Sequence, residues 1–321
     1  RPPTARPPTT LPPPSQVGAA VIKPRRGRFN ELTGRPVPMP GQSAVHMVLG
    51  TMLLWLGWIG FNATSTPSVV GEGGSTLVAR VAATTMLSGC TGGLSATLIE
   101  RWLGRRLRPE SNAITDNKTW SVEAACNGIL TGLVSITAGC AAVTSWAAVI
   151  IGILSGAVYF ATAELVLRIF KVDDVLNAFA VHAAGGLWGL LAAALFATPG
   201  YDADSYGAFY GMAEPLGAAA VGALAIVGWS VLWGLLTFGA LRMIGMLRVS
   251  TVDEVAGMDT LHHGGSAYGV DATEAPPPEY PPQYTAPPRA AQEPPPAAVE
   301  MQDANGGVVV DVDVPPPGDD G

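Results

Sequence analysis

The chain has 321 residues, of which 48% are hydrophobic and only 13% are charged, and its mean hydropathy is +0.32. About a quarter of the residues of a soluble globular domain are charged, so this composition excludes that class and predicts a membrane protein. The formal net charge of −7 arises from an acidic C-terminal tail, and it gives no support for a nucleic-acid partner.

Six long apolar windows with few charges follow one another along the chain. Each is long enough to cross a bilayer of about 30 Å as an α-helix, which takes roughly 20 residues. We therefore predict an all-α fold, a polytopic bundle of six transmembrane helices that occupies residues 46–246. The windows are His46–Thr66, Leu77–Glu100, Ala124–Val143, Trp146–Ile169, Val175–Ala197 and Leu216–Ile244.

Positive charge alternates between the segments that flank these windows. Lys and Arg occur before the first window and after the second, fourth and sixth windows, whereas the other three connections contain neither residue. Cytoplasmic loops are enriched in Lys and Arg, so both ends of this chain are predicted to lie in the cytoplasm.

Residues 1–45 are predicted to form a mostly disordered basic cytoplasmic segment, because Pro-rich runs such as RPPTARPPTTLPPP cannot form a core. In the first window, Trp58, Phe61 and Ser65 are spaced i, i+3 and i+7 and therefore share one helix face. That face can be an aromatic belt at the membrane interface or a functional surface, and the spacing alone leaves both interpretations open.

Glycines spaced four residues apart occur in the second, third, fourth and fifth windows. Small residues let helix backbones approach closely in lipid, so their repetition predicts a tightly packed bundle. The pairs are Gly89–Gly93, Gly128–Gly132, Gly152–Gly156 and Gly185–Gly189.

The fifth window contains His182, within the run DDVLNAFAVHAAGGLWGLLAAALFA that begins at Asp173. At about 1.5 Å per helical residue, His182 lies roughly 12 Å beyond Asp174, close to the middle of the hydrocarbon layer. An ionisable side chain at that depth indicates a functional site. The alternative is a structural histidine that is hydrogen-bonded to a neighbouring helix.

Two segments follow the last window. Residues 247–269 are predicted to be a structured cytoplasmic segment, and its adjacent His262 and His263 are not predicted to bind a metal because a third ligand is lacking. Residues 270–321, with thirteen prolines, are predicted to be a disordered acidic tail. No cofactor is predicted.

The tail contains two consecutive PPxY sequences. Extended Pro-rich segments dock in the aromatic grooves of WW-type domains, so a ubiquitin ligase that bears WW domains is a predicted partner. Simple low complexity is the alternative. The motif residues are Pro277, Pro278, Tyr280, Pro281, Pro282 and Tyr284.

Four stretches of the chain resemble the ammonium transporter family (Amt/Mep, related to Rh proteins). The resemblance runs in family order from about residue 27 to residue 269. The stretches are GTMLLWLGWIGFNATS at 50–65, NGILTGLVSITAGCAAVTSWAAVIIGILSG at 127–156, KVDDVLNAFAVHAAGGLWGLLAAALFA at 171–197 and AGMDTLHHGGSAYG at 256–269.

The resemblance implies a specific architecture. Members of the family are trimers, and each subunit has its own pore, built from two inverted five-helix repeats with an eleventh helix outside. This chain resembles the second repeat plus the last helix, and it begins with Arg1 rather than Met. We therefore expect a fragment without the first five helices, which forms no pore by itself. A homotrimer in the plasma membrane is the expectation for the full-length protein.

The resemblance also implies roles for individual residues. His182 corresponds to the second of the family's paired pore histidines, and Phe61 corresponds to one of two stacked phenylalanines that close the outer gate. Ser65 corresponds to the outer-site serine that hydrogen-bonds ammonium. Asp174 resembles a carboxylate that supports the inner end of the histidine helix. Trp58 is a candidate pore-side aromatic residue because of its spacing with Phe61 and Ser65.

The C-terminal stretch resembles the family's regulatory tail, and its candidate residues are Gly257, Asp259 and Thr260. Two positions depart from the family pattern. Thr64 stands where many members have glycine, and Leu261 stands where many plant members have a regulatory phospho-threonine.

Ammonium transport is therefore the predicted function, with ammonium recruited at an outer vestibule and conducted as ammonia, or as ammonia plus a proton, past His182. The alternative is an ammonium sensor or a regulatory subunit that lacks a complete pore. The sequence contains no nucleophile–base pair or phosphate-binding loop, so an enzyme is not predicted. A six-helix aquaporin is disfavoured because the chain has no NPA sequence.

Overall fold

A computed structural model of the chain describes residues 14–39, 41–66, 73–107, 120–201 and 206–258, together with 300–302 and 308–310. It has two compact units, Arg1–Glu254 and Val255–Gly321. The helices are α1 (Pro14–Ile22), α2 (Ala44–Thr64), α3 (Gly74–Ile99), α4 (Arg105–Leu107), α5 (Val122–Thr137), α6 (Ser145–Glu164), α7 (Gly185–Phe196), α8 (Glu214–Met243) and α9 (Thr251–Ala256).

Within the described residues, π-helical turns extend three of these helices. They are Glu100–Gly104 after α3, Leu165–Ile169 after α6 and Phe179–Ala184 before α7. A 3-10 turn, Ala208–Tyr210, precedes α8.

Helices occupy all six predicted windows. Within the described part of the chain, four of them are long and apolar enough to cross a membrane. These are Ala44–Thr64, Ser145–Ile169, Phe179–Phe196 and Glu214–Met243. The helix Val122–Thr137 is apolar but shorter, and α3 is long but rich in Gly, Ser and Thr. The helical fold is as predicted, while two of the six windows do not qualify as spans by length and composition.

Helix α3 lies at the centre of the described helices, in contact with α2, α5 and α6. The Thr84 hydroxyl donates to the Cys140 carbonyl at 2.8 Å, and the Ser88 hydroxyl donates to the Gly132 carbonyl at 2.8 Å. Later residues of α3 thus meet earlier residues of α5, so the two helices are antiparallel. Because these hydroxyl groups have partners on α5 and its following turn, a helix rich in Ser and Thr can occupy the interior of the bundle.

Helices α2 and α7 both run parallel to α5. On α2, the amide nitrogen of Asn62 donates to Thr85 Oγ1 of α3 at 3.0 Å, and earlier on α2 the Trp55 ring lies near Gly89. Helix α2 is therefore antiparallel to α3 and parallel to α5. On α7, Gly185 packs on Thr131 of α5 and Gly189 packs on Ser135, one turn further along both helices.

All four predicted glycine pairs lie at contacts between helices. A Cβ atom on any of the eight glycines would lie 3.0 Å or closer to a neighbouring atom. On Gly93 it would lie 2.6 Å from Ile129 Cγ1, and on Gly156 it would lie 2.6 Å from the backbone nitrogen of Ala96. The prediction of close packing through small residues is confirmed.

Residues 14–39 lie within the segment that the sequence predicts to be mostly disordered, and here the structure differs. Helix α1 packs against α8. Arg242 donates to the Val21 carbonyl at 3.0 Å, and Arg248 donates to the Ile22 carbonyl at 3.0 Å. Cations stabilise the carbonyl end of a helix. The local composition could not indicate this order, because the partners lie 221 and 226 residues further along the chain.

The second unit contains two short strands within the predicted disordered tail, Glu300–Gln302 and Val308–Val310. They pair in antiparallel fashion, with Met301 opposite Val309. These strands were not predicted from the sequence, although the Val308–Val310 run consists of residues with high strand propensity. Gly257 has φ of +90° directly after α9, a conformation that suits glycine at the end of a helix.

Candidate functional site

His182 lies in the π-helical turn Phe179–Ala184, called the His182 turn below, which continues directly into α7. The two preceding side chains, Ala180 and Val181, are buried in a cluster that includes Tyr159 of α6. His182 itself is exposed. A π-helical turn accommodates an extra residue and is frequent at functional sites. The turn therefore buries its apolar side chains and leaves the imidazole on an open surface of the described residues.

The carboxylate of Asp174 accepts two hydrogen bonds at the beginning of the His182 turn, from the backbone N–H groups of Ala178 at 3.0 Å and Phe179 at 2.8 Å. Carboxylates are favourable at this end of a helix because they satisfy its free N–H groups. Burial raises the pKa of Asp174 above its ordinary value, and the hydrogen bonds from these amides act in the opposite direction. Asp174 thereby fixes the first residues of the turn.

Phe61 and Trp58 lie one turn apart near the end of α2. The Phe61 side chain is 58% exposed, and its ring meets the Trp58 ring edge to face, with centroids 6.2 Å apart. Trp58 Nε1 donates to Thr137 Oγ1 of α5 at 2.9 Å. Trp58 thus connects α2 to α5 and supports the Phe61 ring from one side.

Ser65 is exposed and caps the C-terminal end of α2. Its hydroxyl donates to the Phe61 carbonyl at 2.6 Å. A serine hydroxyl has one proton and two acceptor lone pairs, so this bond uses the proton and leaves acceptor capacity on the oxygen. The Ser65 oxygen can therefore still accept a further hydrogen bond.

A row of partly exposed residues runs along α5 between α2 and the His182 turn. We call it the α5 stripe, and its members are Asn127, Leu130, Val134 and Thr137. They are spaced by three or four residues and therefore share one helix face. Leu130 and Val134 pack against the cluster of Ala180 and Val181, and a Cβ atom on Gly186 would lie 3.8 Å from Val134 Cγ1.

The α5 contacts place Phe61 and His182 at different levels along the helix. Trp58 bonds to Thr137, and the Ser135 hydroxyl donates to the Gly185 carbonyl at 3.0 Å. Phe61 lies one turn after Trp58, whereas His182 lies about one turn before Gly185. At about 1.5 Å per residue, Phe61 and His182 are separated by on the order of 10 Å along α5, and the stripe lies between them.

Neither the α5 stripe nor Asn62 is among the residues predicted from the sequence. The stripe has the spacing of one helix face, but apolar and small residues also occupy the other faces of the third window, so periodicity alone could not select it. Asn62 is 1% exposed and connects α2 to α3 directly beside Phe61. Asn62 could have been noticed from the sequence as a polar residue inside an apolar window.

The predicted residues of the regulatory segment and of the PPxY sequences fall mostly outside the part of the chain that the structure describes. Asp259, Thr260 and the PPxY residues lie outside the described residues, and only Gly257 of the regulatory set is described. Among the residues that the structure describes, no group of three His, Cys, Asp or Glu side chains could hold a metal ion.

Comparison with known families gives a match over most of the chain. The model of the Ammonium Transporter Family matches residues 16–268. Ammonium transporter 1 member 3 of Oryza sativa subsp. japonica is 41% identical, over 80% of this chain and 52% of that protein. Ammonium transporter 1 member 2 of Arabidopsis thaliana is 39% identical, over 78% of this chain and 49% of that protein.

Solved structures of Amt and Mep proteins also match most of the chain. The Sensor Amt Protein is 28% identical with a TM-score of 0.64, over 77% of this chain and 56% of that one. Mep2 of Candida albicans is 25% identical with a TM-score of 0.58, over 74% of this chain and 50% of that one. The chain thus spans about half the length of the relatives that it matches.

Proposed function

The chain belongs to the ammonium transporter family, whose members are transporters rather than enzymes, and we propose that the full-length protein carries ammonium across a membrane. The observation that carries this proposal is the exposed surface formed by Phe61, the α5 stripe and His182. On that surface the imidazole of His182 lies beside apolar side chains of the stripe. The aromatic ring of Phe61 and the hydroxyl group of Ser65 lie at the other end. It has the composition expected for one wall of an ammonium pathway.

Recruitment is the first step of the proposed mechanism. Ammonium has the size and charge of a potassium ion, but it also has N–H donors. The oxygen of Ser65 can accept one of these hydrogen bonds. The exposed ring of Phe61 and the half-buried ring of Trp58 can attract a cation through their faces. Phe61 then acts as the gate between this recruitment position and the α5 stripe.

Conduction past the α5 stripe requires loss of charge. A bare cation is costly to move along the apolar side chains of Leu130 and Val134, whereas neutral ammonia incurs only the smaller desolvation cost of an amine. We propose that ammonium transfers a proton to water at the recruitment position and passes the stripe as ammonia. The imidazole of His182 lines the path and relays protons. Potassium has no proton to lose, which would provide the selectivity.

Uptake in cells that lack their own ammonium transport tests this function. We expect the full-length protein to restore uptake of isotopically labelled ammonium and to exclude potassium, because only ammonium can shed a proton before the apolar path. The control is the same cell with an empty vector. If surface-localised protein restores no uptake, the transport proposal is wrong.

A second candidate function is sensing, and the similarity to the Sensor Amt Protein favours it. In that case ammonium would bind near Ser65 and alter the cytoplasmic segment 247–269 without being carried across. The uptake experiment separates the two candidates, since a sensor would reach the surface and leave the uptake rate at the level of the empty vector.

The assembly and orientation belong to the same proposal. We expect a homotrimer in the plasma membrane for the full-length protein, with both ends of this chain in the cytoplasm. The alternation of Lys and Arg between the connections supports the orientation. We assign residues 46–246 to the membrane domain and residues 247–269 to a regulatory segment.

The two PPxY sequences are proposed to bind a WW-domain ubiquitin ligase. A tail peptide of residues 270–321 is expected to retain purified WW domains, because extended Pro-rich motifs dock in their aromatic grooves. Changing Tyr280→Ala and Tyr284→Ala together should lower retention at least about tenfold, the loss of roughly 1.4 kcal/mol of binding free energy. The control is Tyr268→Ala in a peptide extended to include that residue. Equal retention by the double variant would exclude the motif.

A further inference from the structure

Asp173 is a buried carboxylate that none of the preceding functions uses. Its side chain is only 2% exposed, and it lies directly before Asp174 in the connection that leads to the His182 turn. The Arg25 guanidinium donates to both carboxylate oxygens, from Nε at 2.7 Å and from Nη2 at 3.0 Å. The backbone N–H of Arg25 adds a third bond at 3.1 Å, and Arg28 Nε adds a fourth at 3.1 Å.

These bonds form an Arg–Asp–Arg cluster, called the Asp173 clamp below. Burial opposes ionisation of Asp173, but the hydrogen bonds and charge of Arg25, together with the charge of Arg28, outweigh it and lower the pKa of the carboxyl group below its ordinary value. The carboxylate is therefore ionised at neutral pH. Paired charges with two-pronged guanidinium geometry are among the strongest and most directional polar contacts in proteins.

The clamp joins two segments that are distant in sequence. Residues 25–28 follow α1, and Asp173 is 148 residues further along, at the beginning of the segment that leads to His182. Only one peptide bond separates Asp173 from Asp174, whose carboxylate binds the N–H groups of Ala178 and Phe179. A displacement of Asp173 is therefore transmitted to the first residues of the His182 turn.

We propose that Asp173 is a positioning residue for His182, held in place by Arg25 and Arg28. This proposal rests on the transport function proposed above. The clamp fixes the connection, Asp174 fixes the beginning of the turn, and the turn sets the depth and direction of the imidazole on the exposed surface. Asp173 itself does not contact the pathway, because its carboxylate is enclosed by the two arginines.

The test compares Asp173→Asn in the full-length protein with the wild type and with Asp173→Glu, which retains the charge. The control is Glu31→Gln, the same kind of change at an exposed carboxyl in the same N-terminal segment. Two quantities are measured, hydrogen–deuterium exchange of residues 178–184 and the initial rate of ammonium uptake per transporter at the surface. Arg25→Lys is included in case Asp173→Asn fails to fold, because it retains the charge but removes the two-pronged geometry.

For Asp173→Asn we expect faster exchange in residues 178–184 and a maximal uptake rate about tenfold lower, because small displacements of a reacting group have effects of this size or larger. The half-saturating ammonium concentration should stay unchanged, since recruitment at Ser65 does not involve the clamp. Asp173→Glu should transport faster than Asp173→Asn but more slowly than the wild type. Arg25→Lys should raise the exchange and lower the uptake rate by smaller amounts than Asp173→Asn does. Glu31→Gln should match the wild type.

Unchanged exchange in both Asp173→Asn and Arg25→Lys would overturn the proposal. So would a loss of uptake that only follows the amount of protein at the surface. If the wild type transports nothing, the transport function fails, and the exchange measurement still decides whether the clamp positions the His182 turn.

Discussion

Replacing His182 with alanine in the full-length protein is expected to lower ammonium uptake at least about 100-fold with unchanged surface expression. The imidazole is the ionisable group on the exposed surface beside the α5 stripe, and alanine can neither accept a proton nor pass one on. Positioned proton transfer typically contributes 10²-fold to 10⁴-fold in rate, so its removal should have an effect of about this size. The measurement is the initial rate of labelled ammonium uptake at saturating concentration.

Two further variants make this prediction specific. His182→Gln keeps a hydrogen-bonding side chain but cannot relay a proton, so it should transport as poorly as His182→Ala if the relay is the essential role. His46→Ala changes an exposed histidine in the first turn of α2 and should leave uptake within about twofold of the wild type. Normal uptake by His182→Ala would remove this residue from the mechanism.

Replacing Gly92 with alanine is expected to destabilise the helix bundle by about 3 kcal/mol, the upper end of the usual cost of overpacking. A Cβ atom at this position would lie 2.6 Å from the Gly128 carbonyl oxygen and 2.9 Å from Ser155 Oγ. The nearest obstacle is backbone, which cannot rotate away, so α3 and α5 would have to separate. Thermal unfolding of the purified full-length protein in detergent measures the effect.

Gly222→Ala is the matched control. Gly222 lies on α8, and a Cβ atom there meets nothing within 4 Å. The same added methyl group should therefore leave the unfolding temperature unchanged or raise it slightly, because alanine favours helix by about 1 kcal/mol over glycine. If both variants unfold at the same temperature, close packing at Gly92 does not limit the stability of the bundle.

The sequence predicted the helices well but their ends less well. The third window was predicted to reach Val143, whereas α5 ends at Thr137. The turn that follows contains the buried apolar residues Cys140 and Val143, and an apolar turn cannot be told from a helix by hydropathy. The fifth window was predicted to begin at Val175, whereas the helix begins at Phe179 because Asp174 caps it there.

The candidate site was predictable where a residue type is unusual for its surroundings. His182 is the unusual residue type in an apolar window, and the proposed roles of Phe61 and Ser65 come from the family resemblance alone. The Asp173 clamp was not predictable, since an arginine in a Pro-rich segment gives no indication of a partner 148 residues away. The amino-acid composition of a segment indicates whether the segment as a whole can fold by itself. It cannot reveal a few specific ion pairs that fix a short part of it.

The composition of α3 has a consequence for how the protein enters the membrane. Helix α3 is long, lies at the centre of the described bundle, and is not among the helices apolar enough to span by themselves. A segment with so many hydroxyl groups and glycines gains little from lipid alone. The hydroxyl groups of Ser88, Thr91 and Ser95 donate to carbonyls of α5 and α6, which are synthesised after it. Stable integration of α3 should therefore wait until α5 and α6 have been synthesised.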